Sequence, residues 1–361
     1  MNKTKIKRIL RVVLPVATII SMLFVPWILV SAWWTPLPDS IQEQVDKAPD
    51  QGMFGIVVYV DQPGEAPAFY TVGWKNRENH VPADPHSLFK IASISKLYIA
   101  VAAAKLVNDK RLSLDKTLAD YLPDLIGRIE NADQITLRMM LQHRSGLPNF
   151  TDDPEFPWFD PPSELPDYLE FALDKPADFN PDTRYRYSNT NYLLIGNILD
   201  QALGYSHHQF INEEILNPLR LTHTFNLLSE VNLEELVSGY GYYTGHEGDL
   251  KELDYISPGG SMVATAQDVG IFLRALNDGT LLSVEEQAIY SSIYEYGHTG
   301  LLPGYQSIAR YHKDIDTVVI QFVNTSGGNM WTISEIMYNK IIKILSRKNA
   351  HNRVARPVSK H

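Results

Sequence analysis

The residue pattern in this chain most able to do chemistry is a serine three positions ahead of a lysine. It occurs three times, as Ser87-Leu-Phe-Lys90, Ser93-Ile-Ser-Lys96 and Ser113-Leu-Asp-Lys116. A serine hydroxyl is a poor nucleophile until a neighbouring group takes its proton. On a helix this spacing puts an amine one turn away on the same face, within reach of the hydroxyl. So short a pattern also arises by chance, and the surroundings separate the three. Ser93 opens a stretch rich in Ala, Leu and Lys that reads as a helix to about Lys110. Ser87 follows Pro85 with no helix to fix the pair, and reads as a residue that caps or ends a loop. Ser113 follows Asp109-Lys110-Arg111, and Asp115 favours a protonated Lys116, so a solvated turn is expected there. Taken alone, Ser93 is best explained as an N-cap, a position serine often fills.

Two further motifs change that balance. Tyr187-Ser188-Asn189 is the one Tyr-x-Asn in the chain, and His298-Thr299-Gly300 follows just before the first of two late β-patterned runs. Their order is Ser-x-x-Lys, Tyr-x-Asn, His-Thr-Gly. With Phe89 to Lys96, Leu141-Gln-His-Arg-Ser-Gly-Leu-Pro148, Tyr187 to Tyr192, Gly259-Gly260 leading to Thr265-Ala-Gln-Asp268, and Gly297 to Gly300 with Pro303-Gly304, the chain resembles a family. That family is the serine β-lactamases and penicillin-binding DD-peptidases, in the class C-like branch with its related esterases. The resemblance runs from about Gly55 to the end of the last helix.

The resemblance implies a catalytic Ser93, Lys96 and Tyr187. Lys96 can act as a base only if its amine is neutral, which needs desolvation and a neighbouring cation or helix N-terminus. Tyr187 can share the task as a proton relay, donating to the leaving group and activating water. Which of the two is the base stays open at the level of sequence. Asn189, a neutral donor and acceptor, suits holding Lys96 and a substrate amide together. By resemblance, His298 and Thr299 line the facing strand that binds a substrate carboxylate. The backbone N–H groups of Ser93 and of Leu301, after Gly300, would form the oxyanion hole. One departure matters: β-lactamases usually carry Lys where this chain has His298. An imidazole is about neutral near pH 7, which weakens carboxylate attraction and favours a peptidase or esterase over an efficient β-lactamase.

Other residues invite chemistry less strongly. His207-His208 could ligate a metal, although adjacent histidines at a helix start are more often surface residues, and no metal is expected. His143 is expected to order a turn through hydrogen bonds. Asp152, Asp153, Glu155 and Asp160 lack the regular spacing of a calcium loop and read as a solvated loop. Tyr240, Tyr242 and Tyr243 fit a substrate cleft or strand packing equally well. No Gly-x-Ser-x-Gly, His-Glu-x-x-His or Gly-x-Gly-x-x-Gly occurs.

The elements that must position these groups lie in a chain of 361 residues with a net charge of −10, 44% hydrophobic and 20% charged residues, and no cysteine. That composition is globular, and it excludes disulfides, thiolate nucleophiles and cysteine-ligated metals. Net acidity argues against nucleic acid as a partner. Lys3, Lys5, Lys7, Arg8 and Arg11 precede a run from Val12 to Trp34 without an ionisable side chain. As a helix this run spans roughly 35 Å, enough for a bilayer's hydrocarbon core. Basic residues ahead of it favour cytoplasmic retention of the start and export of everything after Trp34, with Trp27, Trp33 and Trp34 at an interface. Val30-Ser31-Ala32 also offers residues that a signal peptidase accepts, so the alternative to the uncleaved anchor, which the length of the apolar run favours, is a removed leader.

Gly55–Val60 and Phe69–Val72 read as strands, as do Tyr305–Tyr311 and Thr317–Val323. A final helix is expected over Trp331–Ser346, and an acidic, Pro-rich surface excursion over Asp152–Pro166. Strands at both ends with helices between predict an α+β fold, an antiparallel sheet from N- and C-terminal segments with an inserted helical lobe. The expected organisation is a membrane or signal segment over 1–34, a serine hydrolase domain over 35–346 and a basic, solvated tail over 347–361. The expected function is an exported, membrane-anchored serine hydrolase, secreted if the leader is removed. It would act through a Ser93 acyl-enzyme on D-amino-acid peptides, small esters or amides, or β-lactams. No cofactor is implied, and a small-molecule or peptide substrate is the expected partner. The alternative is a non-catalytic penicillin-binding sensor that acylates without turnover.

Overall fold

A computed structural model describes residues 3–355. The strand run Gly55–Asp61 (β1) pairs antiparallel with Ala68–Asn76 (β2) on one side, and on the other with a strand more than 250 residues later. Valine and isoleucine predominate in β1, and their alternation serves two layers at once. Val57 and Tyr59 point into the larger core, while Ile56, Val58 and Val60 point into a second core on the opposite face. Val81–Pro82 (β3) extends one edge, and His298–Leu302 (β4), Tyr305–His312 (β5) and Thr317–Val323 (β6) complete a six-stranded sheet in the order β3-β2-β1-β6-β5-β4. All its pairings are antiparallel. The α+β arrangement expected from the sequence is therefore present, with one addition. The His-Thr-Gly motif does not merely precede a strand but forms one, the edge strand β4.

Two helices lie at the N-terminus, Lys3–Leu23 (α1) and Trp27–Trp34 (α2). The apolar run expected to make one span is broken before Pro26, and its two parts meet at 78°. Proline lacks an N–H and clashes with the preceding turn, which accounts for the break. Among the described residues no single helix is long and apolar enough to cross a membrane, although the bent pair together passes on length and composition. The second part does not stand apart from the rest. Ala32 is fully buried, Ile28 and Leu29 pack on the second core, and Lys340 donates from Nζ to the carbonyls of Ala32 at 2.7 Å and Thr35 at 2.8 Å.

The helical lobe is inserted between β3 and β4. At its centre Ser95–Asn108 (α3) is buried almost throughout, and its run Ala102-Ala103-Ala104 lets neighbouring elements approach closely. Asn189–Leu203 (α4) packs on α3; Ala266–Asp278 (α5) lies on the sheet, and Val284–Ile293 (α6) leads into β4. The last helix, Met330–Ala355 (α7), covers the second face of the sheet. It runs past the expected end at Ser346, so residues 347–355 continue it; the remainder of the basic tail lies outside the described residues.

The acidic excursion is more ordered than a solvated loop. Phe156 is buried against Phe150 and Tyr168, Asp153 pairs with Lys175, and Asp152 pairs with Arg186. Aromatic burial outweighs the local acidity there.

Candidate active site

Ser93 lies in a 3-10 turn, Ala92–Ile94, that feeds into α3, rather than in the α-helix itself. Ala92 holds a left-handed φ of 51°, a conformation that non-glycine residues rarely adopt. The turn is pinned from both sides. Ser95 Oγ donates to the Ala92 carbonyl at 2.6 Å, and Ser307 Oγ on β5 donates to the Ile91 carbonyl at 3.0 Å. Edge strand β4 passes so close that a Cβ on Gly300 would fall 2.3 Å from both the Ile91 oxygen and Ser307 Oγ. A side chain at this position would push the strand off the turn, so glycine is required for close approach.

Lys96, one turn on, is fully buried. Its Nζ lies 3.1 Å from Ser93 Oγ, 2.8 Å from Asn189 Oδ1 and 2.7 Å from the Gly259 carbonyl. Burial pushes its pKa down to about 7 from the usual 10.5. Desolvation causes this shift; of the two further aids expected, a neighbouring cation or a helix N-terminus, no cation contributes, and Lys96 lies in the first turn of α3. A neutral amine has two N–H groups and one lone pair. Asn189 Oδ1 and the Gly259 carbonyl only accept, so they take the two N–H groups and leave the lone pair facing the Ser93 hydroxyl.

Tyr187 donates its O–H to Ser93 Oγ at 2.8 Å. Burial raises the phenol's pKa far above its ordinary value, with the bond to Ser93 opposing, so the group is a neutral donor at pH 7. Its ring lies 4.5 Å from the His143 ring, and Lys96 Nζ sits 5.1 Å from the Tyr187 centroid. His143 holds a turn, as expected: its φ is 55°, and its Nδ1 accepts from the Ser188 N–H at 3.2 Å. Burial lowers its pKa to about 3. Asn189 opens α4, where its backbone N–H is accepted by Asn149 Oδ1 at 2.9 Å; its Nδ2 donates to Thr151 Oγ1 at 3.0 Å.

His298 and Thr299 line the same cleft, whose volume is about 1150 Å³, and Leu301 half-exposes its side chain there. His298 Nδ1 faces the Thr299 carbonyl, an acceptor, so Nδ1 carries the ring hydrogen. Burial first, and then the Lys96 amine, push its pKa down to about 4, and it offers no positive charge at neutral pH.

Sequence reasoning named Ser93, Lys96, Tyr187, Asn189, His298, Thr299, Gly300 and Leu301, and all of them converge here. It gave no role to the Gly259 carbonyl, although the Gly259-Gly260 doublet was visible, and it missed Asn149 and Thr151, which carry no pattern of their own. The rival serines are elsewhere. Ser87 is buried beside β-structure, and Ser113 lies in a turn under Tyr121. Lys90 is buried too, but donates to the Leu253 carbonyl at 2.5 Å. His207 is buried rather than on the surface, with Nδ1 2.8 Å from Asp200 Oδ1. Among the described residues no three His, Asp or Glu side chains could hold a metal ion together. Tyr240, Tyr242 and Tyr243 pack outside the cleft, Tyr240 against Glu78 and Tyr243 against Ser326.

A β-lactamase from Pseudomonas fluorescens is 30% identical over 192 residues, about half of each chain (53% of this one and 51% of that one). A teichoic acid D-alanine hydrolase from Staphylococcus aureus is 22% identical, over 84% of this chain and 79% of its own. The fold matches the crystal structure of D-amino acid amidase from Ochrobactrum anthropi SV3 with a TM-score of 0.75 at 23% identity, covering 87% of this chain and 99% of that one. The family model described as Beta-lactamase matches residues 39–293, and the chain is accordingly a member of the β-lactamase family of serine hydrolases.

Proposed function

We propose that this protein hydrolyses D-amino-acid peptides, small esters or amides through an acyl-enzyme on Ser93, with β-lactams as poorer substrates. The observation that carries this reading is the Lys96 amine, buried to near-neutrality, with its lone pair directed at the Ser93 hydroxyl 3.1 Å away. Lys96 takes the hydroxyl proton as Oγ attacks the carbonyl carbon. The N–H groups of Ser93 and Leu301 receive the developing oxyanion; one such donor contributes roughly 10²–10³ in rate. Tyr187, a phenol kept protonated by burial, passes its proton to the leaving group and regains one from Lys96, which restores the neutral amine. Lys96, through Tyr187, then draws a proton from the attacking water and returns it to Ser93 Oγ as the acyl group leaves. Asn189 keeps the amine aimed and meets the substrate amide. The neutral His298 supports the preference for substrates other than β-lactams, whose carboxylate gains little from it.

The relatives named above act, by their names, on D-alanine of teichoic acid and on D-amino acid amides, which supports an acyl group of that kind. We also propose export, with the basic start inside and the domain outside. Lys3 to Arg11 ahead of an apolar run and the exposed Trp33 and Trp34 support this.

A labelled fluorophosphonate or penicillin tests the catalytic reading. Labelling that needs Ser93 and decays with time supports the hydrolase; stable labelling without turnover supports a sensor. Equal labelling of wild type and Ser93→Ala overturns both.

A further inference from the structure

We propose that Glu295 makes this cleft selective for substrates whose acyl group bears a free ammonium, such as α-amino acyl esters and amides. This deepens the reading of Ser93 and rests on it.

Among the residues lining the cleft, Glu295 is the one carboxylate and Arg310 the one Lys or Arg side chain. Glu295 is exposed, at the loop from α6 to β4, and Tyr290 fixes its backbone by donating to its carbonyl at 2.5 Å. Among the described residues its side chain makes no ion pair within 4 Å, whereas Asp152 and Asp153, beside the cleft, are paired with Arg186 and Lys175. Aromatic rings flank it. Tyr294 stacks on His298 at 5.8 Å and 11°, Tyr296 bonds Ser291, and Tyr185 and Tyr187 line the same cleft. A carboxylate among aromatic faces suits a small cation, because both the charge and the ring quadrupoles attract it.

The cleft offers little to a carboxylate. Its three histidines, His143, His298 and His312, are all shifted down by burial, the first two to about 3 and 4. Arg310 lies on β5, one residue past the partner of His298, and its guanidinium is drawn over the Tyr338 ring of α7 at 5.9 Å, toward the far face of the sheet.

The test compares three esters of one alcohol: D-alanyl, propionyl (the same skeleton without the ammonium) and hemisuccinyl, which carries a carboxylate. Wild type should favour the D-alanyl over the propionyl ester in kcat/KM, and added salt should shrink the ratio. Glu295→Gln should lower that ratio roughly two- to fivefold, the range for a single exposed charge contact, and Glu295→Asp should restore part of it. An unchanged ratio in Glu295→Gln, or a wild-type preference for the hemisuccinyl ester that Arg310→Gln removes, overturns the proposal. Should Glu295→Gln fold poorly, a wild-type D-alanyl to propionyl ratio at or below one at low salt overturns it as well. Failure of the underlying reading looks different: Ser93→Ala would then hydrolyse all three esters as fast as wild type.

Discussion

The Gly259 carbonyl accepts a hydrogen bond from Lys96 Nζ at 2.7 Å, across 163 positions of chain. This bond and the one to Asn189 leave the lysine lone pair a single direction, toward Ser93. A Cβ on residue 259 would lie 2.9 Å from Nζ and 2.9 Å from Tyr192 Cβ. Gly259→Ala should therefore displace the amine and lower the rate of Ser93 phosphonylation about tenfold to a hundredfold, as misplacement of a reacting group does. The check is stopped-flow labelling with a thermal melt beside it; a normal rate in a folded variant would contradict the role given to the carbonyl.

Protonation of Lys96 should set the pH profile. Its pKa in the folded protein is about 7 against the usual 10.5, and the neutral form is the base. Acylation should rise with pH and be half-maximal near 7. Stability should follow the same shift. Between 7 and 10.5 the unfolded chain binds more protons than the folded one, so the cost of burying this lysine is full below 7 and fades as pH rises. Lys96→Met should be inactive, and more stable than wild type at pH 7 by a margin that shrinks toward pH 10. Denaturant titrations at the two pH values measure that margin.

Removing the Tyr187 hydroxyl should cost activity without moving the inflection near pH 7. The phenol is raised in pKa by burial and does not titrate in that range. Tyr187→Phe should reduce kcat by about 10²–10⁴, the contribution of a positioned general acid. A steady-state pH series on the variant decides: a shifted inflection would mean that Tyr187, and not Lys96, titrates.

His298 is neutral at pH 7, with a pKa of about 4. His298→Lys should add a cation beside the cleft and speed acylation by penicillin about tenfold at low salt, an advantage that falls as salt screens it. Second-order labelling rates at two ionic strengths provide the comparison.

Lys340 ties α2 to α7 through the Ala32 and Thr35 carbonyls. Lys340→Met should leave one buried and one part-buried acceptor without this donor, at about 1–3 kcal/mol. A lower Tm and earlier proteolysis near Thr35 are the expected readouts.

The sequence by itself determined four of the six strands of the sheet and the cast of side chains. Alternation within Gly55–Val60 and Thr317–Val323 needs only local sterics and two apolar layers, and Ser93-x-x-Lys96, Tyr187-x-Asn189 and His298-Thr299-Gly300 stand in readable order. It did not reveal that α1 and α2 part at 78°, that α2 joins the core, or that Phe156, packed on Phe150 and Tyr168, orders the acidic excursion, because each depends on surfaces contributed by remote residues. Nor could it assign charge states. Lys96 is near-neutral, and His143 and His298 uncharged, because residues from several distant segments exclude water around them. Only tertiary packing fixes that exclusion, and with it which group in the cleft holds a proton.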